Sequence, residues 1–423
     1  MKPIAKFLCA YVILGPGLLR LQAQVPAPLP KHTPWDIVAL RKTPAYEVLT
    51  TSKDGVQEIF FRGPAYKTPG DTKVFAYYGR PKGEPGQKFP ALILIHGWAG
   101  QAMRGWLTEA NRRGYAAISL STNGVMGEGG AALVPEEFRG PGDGYTGKAS
   151  GASPFTPPMG EPPHHRWMYH AVADVVLAHS LLRSFSEVDP DRTAVWGISW
   201  GGYHTCIAAG LDDRFRAAVP QYGCGYLHEN GAWAQNLMRM KPEQRDAWVK
   251  LWDPSQYVGS ARMPMLFMNG SQDSFYPLDS WAKTRALVKS QGTRNMVSFG
   301  FGHGHFWDKR VEVAWRFLGE HLQGADKLPT ISRPEIAAAQ LTATVTGAKV
   351  IERPMLYYTT GPATQNGKRA WQTVPLTVQA DGRLVGSAPP PDATAWFVGI
   401  SDTVETKSYQ NLVSSDVVFA PMR

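Results

Sequence analysis

The stretch Val188–Gly202, V-D-P-D-R-T-A-V-W-G-I-S-W-G-G, decides the fold of this chain. Within it, Thr193–Trp196 is a short apolar run typical of a buried parallel strand, and a helix-like segment directly follows G-I-S-W-G. A serine at such a strand–turn–helix junction is held in a strained backbone conformation that exposes its hydroxyl. Ser199 is therefore the predicted nucleophile. The alternative is a glycine-rich turn with a buried serine, so the prediction depends on catalytic partners further along the chain.

Apolar strand-like segments alternate with amphipathic helical segments on both sides of this stretch. Such alternation predicts an α/β fold with a doubly wound, mostly parallel sheet. The predicted strands are Phe89–Ile95, Tyr115–Leu120, Ala217–Gln221, Pro264–Asn269 and Met296–Gly300, and the predicted helices are Arg104–Arg113, Trp167–Phe185, Tyr203–Ala209, Trp281–Val288 and Val311–Leu322.

The first residues have the pattern of a secretory signal peptide, expected over residues 1–23. Lys2 and Lys6 precede an apolar run that glycine and proline interrupt, and small residues follow it. The run is too short to span a bilayer comfortably, so a retained anchor is not expected, and no later stretch approaches the required length. We therefore expect no stable membrane insertion after the signal peptide is removed. The pattern predicts a secreted or periplasmic protein.

Two further units are predicted after the signal peptide. Residues 24–327 carry the alternating pattern and form the catalytic domain. Residues 328–423 contain short β-rich runs separated by Gly, Pro and Asp turns, which predict a small β-sandwich. Its Trp371, Trp396 and Tyr409 have the chemistry to bind sugar faces, although tryptophan in such a module more often belongs to the core.

Charge and cysteine content exclude some classes of function. The formal net charge of +9 is spread along the chain without long basic runs, so we expect no nucleic-acid partner. Apart from Cys9 in the expected signal peptide, Cys206 and Cys224 are the only cysteines, which make no disulfide framework.

The remaining members of a catalytic triad follow later strands. An alcohol needs a general base to act as a nucleophile at neutral pH, and that base needs an orienting carboxylate. Asp273, in N-G-S-Q-D-S-F-Y-P, is the predicted acid, and His303, in F-G-F-G-H-G-H-F-W, is the predicted base. Asp279 and His305 are the alternatives: the first has a position typical of a helix cap, and the second fits the substrate rim.

Two backbone N–H groups are expected to bind the oxyanion. They belong to Trp200, directly after the nucleophile, and to Trp98, in the turn after H-G. His305 and Trp167 are predicted at the substrate rim. We expect neither a cofactor nor a metal, because no phosphate-binding loop or dinucleotide fingerprint occurs, and His164, His165, His170 and Asp174 fit a structural role better than a metal site.

Several of these segments together resemble the acetylxylan esterase and dienelactone hydrolase-like branch of the α/β-hydrolases, which is related to the catalytic domain of prolyl oligopeptidases. They are H-G-W-A-G, R-G-Y-A-A-I, E-V-D-P-D-R-T-A-V-W-G-I-S-W-G-G-Y, L-D-D-R-F-R-A-A-V-P-Q-Y-G-C-G, L-W-D-P-S, M-P-M-L-F-M-N-G-S-Q-D and G-H-G-H. The resemblance implies Ser199 as nucleophile, Asp273 as acid and His303 as base.

These observations together predict an exported serine hydrolase. The expected substrates are small acyl esters, above all acetyl esters of a polysaccharide such as acetylxylan. A serine peptidase of the prolyl oligopeptidase type and a non-catalytic carbohydrate-binding protein are the alternatives, and the presence of all three triad residue types argues against the second.

Overall fold

The computed structural model describes residues 26–66, 71–98, 100–127, 132–141, 154–155, 160–304, 311–361, 369–401 and 412–420. The expected signal peptide, His305 and Tyr409 lie outside these ranges. No helix within them is long and apolar enough to cross a lipid bilayer.

Strands and helices alternate through most of the described chain. The first strands are β1 Tyr46–Thr51, β2 Gln57–Ala65, β3 Asp71–Gly79, β4 Phe89–Ile95, β5 Ala116–Leu120, β6 Val125–Met126, β7 Ala132–Leu133, β8 Val188–Ile198, β9 Ala217–Gln221, β10 Leu266–Gly270 and β11 Arg294–Ser298. The helices are α1 Ile37–Leu40, α2 Arg104–Arg112, α3 Trp167–Leu182, α4 Trp200–Leu211, α5 Ala234–Met238, α6 Pro242–Trp252, α7 Leu278–Leu287 and α8 Glu312–Leu322. Short 3-10 turns lie at Glu136–Phe138, Pro163–His165, Pro254–Gln256 and Val258–Ser260.

The predicted doubly wound sheet is confirmed. Its strands lie in the order β1-β2-β3-β5-β4-β8-β9-β10-β11, with parallel pairing from β5 through β11 and antiparallel pairing at the β1–β3 end. All seven residues of β4 are buried, as expected for a strand with both faces covered. In the register of β4 and β8, Ile95 lies opposite Gly197. The turns that follow these two strands therefore meet.

Helices cover both faces of the sheet. On one face, the Trp196 ring of β8 contacts Trp106 of α2 and Trp315 of α8, each with ring centroids 4.9 Å apart. On the other face, α3 and α4 pack against the sheet and against each other. Because α3 is enclosed by these neighbours, nearly all of its residues are buried. Apolar burial on this scale is the main force that stabilises the domain.

The carboxy-terminal residues form two groups of strands. Their strands are β12 Thr330–Ile331, β13 Glu335–Ala337, β14 Gln340–Thr346, β15 Glu352–Thr359, β16 Gln372–Pro375, β17 Thr377–Val378, β18 Arg383–Ser387, β19 Ala395–Ser401, β20 Leu412–Ser414 and β21 Val418–Phe419. One group, in the order β12-β14-β18-β17, is a separate sheet. The other continues the central sheet in the order β11-β20-β19-β15-β16, so the sandwich-like region shares its second sheet with the α/β part of the chain.

Candidate active site

Ser199 lies at the junction between β8 and α4, with φ 58° and ψ −117°. A positive φ is uncommon for a residue with a side chain and costs on the order of 1–3 kcal/mol, so the surrounding structure must enforce it. The fit around the turn is close, since a Cβ on Gly201 would lie 2.2 Å from the Ile95 carbonyl oxygen. Gly201 is therefore required for β4 to pass the first turn of α4.

The structure brings Ser199, His303 and Asp273 into one hydrogen-bonded chain. Ser199 Oγ lies 2.9 Å from His303 Nε2, and His303 Nδ1 lies 2.9 Å from Asp273 Oδ2. Because a carboxylate accepts at Nδ1, the ring proton resides there and the Nε2 lone pair faces the serine hydroxyl. This arrangement can remove the serine proton as an ester carbonyl is attacked.

Backbone donors orient the Asp273 carboxylate. Its Oδ1 accepts hydrogen bonds from the N–H groups of Phe275, at 2.8 Å, and of Tyr276, at 2.9 Å, while Oδ2 remains for His303. The side chain is fully buried. A buried carboxylate with these three partners has a single orientation, which in turn fixes the imidazole ring.

The two loops that carry the acid and the histidine contact each other. We call residues 270–279 the acid loop and residues 299–304 the histidine loop. Gln272 N–H donates to the Phe301 carbonyl at 2.8 Å, and Gly300 N–H donates to Ser271 Oγ at 2.9 Å. Displacement of the acid loop would therefore also displace the histidine loop.

The predicted oxyanion donors belong to two turns that adjoin the nucleophile. Trp200 is the first residue of α4, so its N–H has no acceptor within that helix. A Cβ on Gly97 would lie 3.1 Å from Ser199 Cβ, which shows how closely the turn containing Trp98 approaches. The Trp98 and Trp200 rings lie 5.2 Å apart. These positions are compatible with the predicted roles.

His96 holds the turn that contains Trp98, and sequence reasoning did not identify this role. Thr122 N–H donates to His96 Nε2 at 3.0 Å, which places the ring proton on Nδ1, 2.6 Å from the Gly97 carbonyl. Burial lowers the pKa of His96 to about 4, so the ring is neutral near pH 7 and suits this bridging role. The H-G dipeptide after β4 is the local signal for it.

An aromatic wall surrounds the nucleophile. The Trp98 ring lies 5.6 Å from Trp233 and 6.0 Å from Trp167, and Trp233 lies 5.2 Å from Phe275. Phe275 in turn lies 4.8 Å from the His303 ring. Trp167, the predicted rim residue, thus lies beside the predicted oxyanion turn, and its indole N–H donates to the Thr122 carbonyl at 2.6 Å.

Buried polar groups lie beside this wall, among them the Tyr276 hydroxyl and the Trp233 indole N–H. Burial raises the pKa of Tyr276 well above its usual value, an effect that hydrogen bonding to the Ser199 and Trp233 side chains partly opposes. The phenol is therefore neutral and can donate a hydrogen bond. Asn269 holds the residue by donating to its carbonyl at 2.8 Å. Only the spacing D-S-F-Y hints at this position in the sequence.

The alternative acid, Asp279, has a different partner. It binds the Arg369 guanidinium at 2.7 Å and lies in the first turn of α7, as its capping position predicted. Asp273, and not Asp279, is the carboxylate that contacts His303. The alternative base and predicted rim residue His305 lies outside the described residues.

His170, one of the residues considered for metal binding, has a hydrogen-bond partner within the protein. His170 Nε2 lies 2.9 Å from the His164 carbonyl, and burial lowers the pKa of His170 to about 4. Within the described ranges, no group of three or more His, Cys, Asp or Glu side chains is arranged to hold a metal ion. Cys206 and Cys224 are buried free thiols.

Comparison with solved structures identifies the class of fold. An acetyl xylan esterase from Paenibacillus sp. R4 is similar with a TM-score of 0.52 and 21% identity, over 68% of this chain and 92% of that one. Acetyl xylan esterase 1 from Thermoanaerobacterium sp. JW/SL YS485 gives 0.53 and 19%, over 69% and 94%. With this sheet order and nucleophile turn, the protein has the α/β-hydrolase fold.

Two family models then place the chain within this class. The acetyl xylan esterase (AXE1) model matches residues 49–229, and the prolyl oligopeptidase family model matches residues 163–324. The expected resemblance to the acetylxylan esterase branch, and its relation to prolyl oligopeptidases, is confirmed. The esterase match supports a serine carboxylic-ester hydrolase.

A curated relative covers a smaller part of the chain. The "Uncharacterized peptidase YuxL" of Bacillus subtilis (strain 168) is 25% identical over 152 residues, which is 32% of this chain. The chain spans 23% of the length of that relative. Similarity to a peptidase and to esterases at once leaves the choice of substrate to the site itself.

Proposed function

We propose that the protein hydrolyses small acyl esters, above all acetyl esters on a polysaccharide such as acetylxylan, with Ser199 as nucleophile, His303 as base and Asp273 as acid. The observation that carries the proposal is the hydrogen-bonded chain from Ser199 Oγ through both nitrogens of His303 to Asp273. Such a chain makes a serine hydroxyl nucleophilic at neutral pH.

The reaction follows from the positions of the donors and acceptors. Ser199 Oγ attacks the ester carbonyl while its proton moves to His303 Nε2, and the imidazolium that forms is stabilised by Asp273. The carbonyl oxygen becomes an oxyanion, which the backbone N–H groups of Trp98 and Trp200 bind. His303 then protonates the departing sugar hydroxyl, which leaves an acyl-enzyme. Water, deprotonated by His303, releases the acid and restores Ser199.

The aromatic wall supports a small acyl group on a sugar. The ring centroids of Trp98, Trp200 and Trp233 lie 5.2 Å to 5.6 Å apart. Apolar side chains that adjoin the nucleophile suit a methyl group, and the half-buried indole faces of Trp98 and Trp233 suit the C–H face of a sugar ring. The Tyr276 hydroxyl, beside the Ser199 side chain, supplies a hydrogen-bond donor for the ester oxygens.

We also propose that the protein is exported, with residues 1–23 as the signal peptide. The support is the pattern of Lys2 and Lys6 followed by an apolar run and small residues. Export would bring the enzyme to polymeric substrates that do not enter cells. Mass spectrometry of the amino terminus of secreted material would test this, and an intact Met1 in the exported protein would contradict it.

A second candidate function is peptidase activity. The prolyl oligopeptidase family model matches residues 163–324, a range that includes Ser199, Asp273 and His303. The same chain of groups can attack an amide as well as an ester. What distinguishes the two is the leaving group that the site accepts.

The deciding experiment measures acetate release from acetylated xylan beside anilide release from a prolyl peptide anilide. Wild-type protein should release acetate faster, and Ser199→Ala should release none. Faster anilide release would favour the peptidase. If wild type and Ser199→Ala act equally on both substrates, the catalytic proposal is wrong, and binding of the wild type to xylan would then favour a carbohydrate-binding protein.

A further inference from the structure

The carboxy-terminal region, defined here as the described residues from 328 onward, attaches beside the histidine loop. Strand β20 pairs with β11, where Asn295 lies opposite Ser414. Val297 N–H donates to Ser414 Oγ at 3.0 Å, and Asn295 Nδ2 donates to Asp416 Oδ1 at 2.8 Å. Since β11 leads into the histidine loop, this region supports one of the two loops that complete the triad.

The same region also contacts the acid loop through a partly buried ion pair. The Arg369 guanidinium donates to Asp279 Oδ2 at 2.7 Å and to Oδ1 at 3.3 Å. The Arg369 side chain is 7% exposed and the Asp279 side chain 31%. Arg369 also donates to the Gly361 carbonyl and to Thr394 Oγ1. A bidentate pair with these additional bonds has little freedom to move.

Two further hydrogen bonds reach the acid loop directly before Asp273. Gln272 Nε2 donates to the Arg369 carbonyl at 2.6 Å. The Trp371 indole N–H donates to the Ser271 carbonyl at 3.0 Å, while its ring lies 5.3 Å from Phe397. Residues 369–371 therefore hold the acid loop on both sides of Asp273. The indole N–H of Trp371 thus makes a hydrogen bond within the protein and is not left for a ligand.

We propose that Arg369 and Trp371 are positioning residues for catalysis, and that the carboxy-terminal region completes the active site instead of serving as a separate sugar-binding module. This inference rests on the proposed hydrolase function. Asp273 lies in the acid loop and contacts His303, and the same imidazole ring contacts Ser199. A shift of about 1 Å in a catalytic group can lower the rate a hundredfold.

The test compares Arg369→Met and Trp371→Phe with a matched control, Lys349→Met. Trp371→Phe keeps an aromatic ring against Phe397 and removes the N–H that binds Ser271. Lys349→Met breaks the ion pair with Asp326, which also links the carboxy-terminal region to the catalytic domain but is exposed. With 4-nitrophenyl acetate as substrate, we expect kcat to fall about tenfold to a hundredfold in Arg369→Met and less in Trp371→Phe. KM should stay near the wild-type value, and the control should match the wild type.

An Asp273→Asn background separates positioning from general destabilisation. If Arg369 acts through Asp273, Arg369→Met should lower kcat no further in that background. An equal loss in both backgrounds would overturn the proposal, as would wild-type kcat in both Arg369→Met and Trp371→Phe. Arg369→Lys, which keeps the charge but loses the bidentate geometry, should recover part of the activity. If Arg369→Met does not fold, Trp371→Phe serves in the same comparison.

Hydrogen exchange distinguishes failure of this inference from failure of the proposed function. Peptides that cover residues 270–279 should exchange several-fold faster in Trp371→Phe than in Lys349→Met, whether or not the wild type hydrolyses an ester. Unchanged exchange would overturn the positioning role. Faster exchange in the variant, with a wild type that is inactive on every ester, would contradict the proposed function alone.

Discussion

Ser199 and Asp273 both lie in turns that follow strands of one sheet, but these two turns are held by different interactions. The nucleophile turn is enclosed by backbone atoms, as the 2.2 Å approach between a Cβ on Gly201 and the Ile95 carbonyl shows. The acid loop is held by side chains, among them Arg369 and Trp371, which are about a hundred residues away in sequence.

This difference explains why the interactions that hold one turn can be predicted from local sequence, whereas those that hold the other cannot. Backbone enclosure requires glycine at fixed positions next to the serine, so the requirement appears in a pentapeptide. Side-chain enclosure requires partners that the fold alone brings together. The strained turn should therefore be intolerant of added atoms, whereas the acid loop should be sensitive to the loss of distant hydrogen bonds.

The largest expected effect is that of removing the nucleophile. Ser199→Ala should lower kcat on an acetyl ester by at least about 10⁴-fold, because the attacking oxygen is absent. Folding should be retained, since alanine is smaller than serine. Steady-state rates and labelling by a fluorophosphonate probe would measure this; a labelled Ser199→Ala protein would show that another residue is the nucleophile.

The next effect concerns the backbone enclosure of the same turn. Gly201→Ala should destabilise the protein by about 3 kcal/mol or more, because its Cβ would overlap the carbonyl oxygens of Ile95 and His96. Gly105→Ala in α2 is the control: apart from the backbone of its own helix and its chain neighbours, no atom lies within 4 Å of its Cβ, so a gain of up to about 1 kcal/mol is expected. Urea unfolding would report both, and equal midpoints would contradict the close fit.

A smaller effect is expected when the hydroxyl group of Tyr276, in the acid loop, is removed. Tyr276→Phe should lower kcat about a hundredfold, if its hydroxyl binds the ester oxygen as charge develops there. The ring contact with His303, at 5.8 Å, is kept in this variant. Wild-type kcat with a raised KM would instead assign the hydroxyl to substrate binding.

The smallest effect concerns how the free energy of unfolding depends on pH, through His204 in the helix that follows the nucleophile. Burial lowers the pKa of His204 in α4 to about 3, whereas an unfolded chain has a histidine pKa of about 6.5. The unfolded state therefore binds more protons between these pH values, and stability is lost as pH falls from about 6.5 towards 3. Linkage gives a loss of about 2 kcal/mol between pH 7 and pH 5.

The variant His204→Phe should remove this part of the pH dependence while keeping aromatic contacts with Trp167 and Trp200. Urea midpoints at pH 7 and pH 5, for wild type and variant, would measure it. An identical change in both proteins would show that His204 does not contribute.

Much of the fold follows from local sequence patterns. Apolar runs such as Phe89–Ile95 match their strand bounds, because a strand buried on both faces needs continuous apolar residues. Strand β18, Arg383–Ser387, was not predicted, since it contains a glycine and Leu384 is its one fully buried residue. The carboxy-terminal strands were predicted as a sandwich, but their pairing with β11 has no local signal.

The residues of the candidate site likewise include some that local sequence patterns predict and others that they do not. Ser199, Asp273 and His303 were predicted from turns after strands, and the structure places their side chains in hydrogen-bond contact. His96, Tyr276 and Arg369 were missed. Their roles depend on partners that tertiary packing supplies, such as Thr122 for His96 and Asp279 for Arg369.

The pairing of β20 with β11 has a consequence for synthesis of the protein on the ribosome. Val297 and Ser414, which hydrogen-bond across this pair, are separated by 117 residues. A nascent chain that has emerged as far as the histidine loop thus has β11 as an unpaired edge strand, which is prone to pair with other chains. The acid loop likewise lacks the support of Arg369 at that stage. The active site would therefore be complete only after the carboxy-terminal strands have joined the sheet.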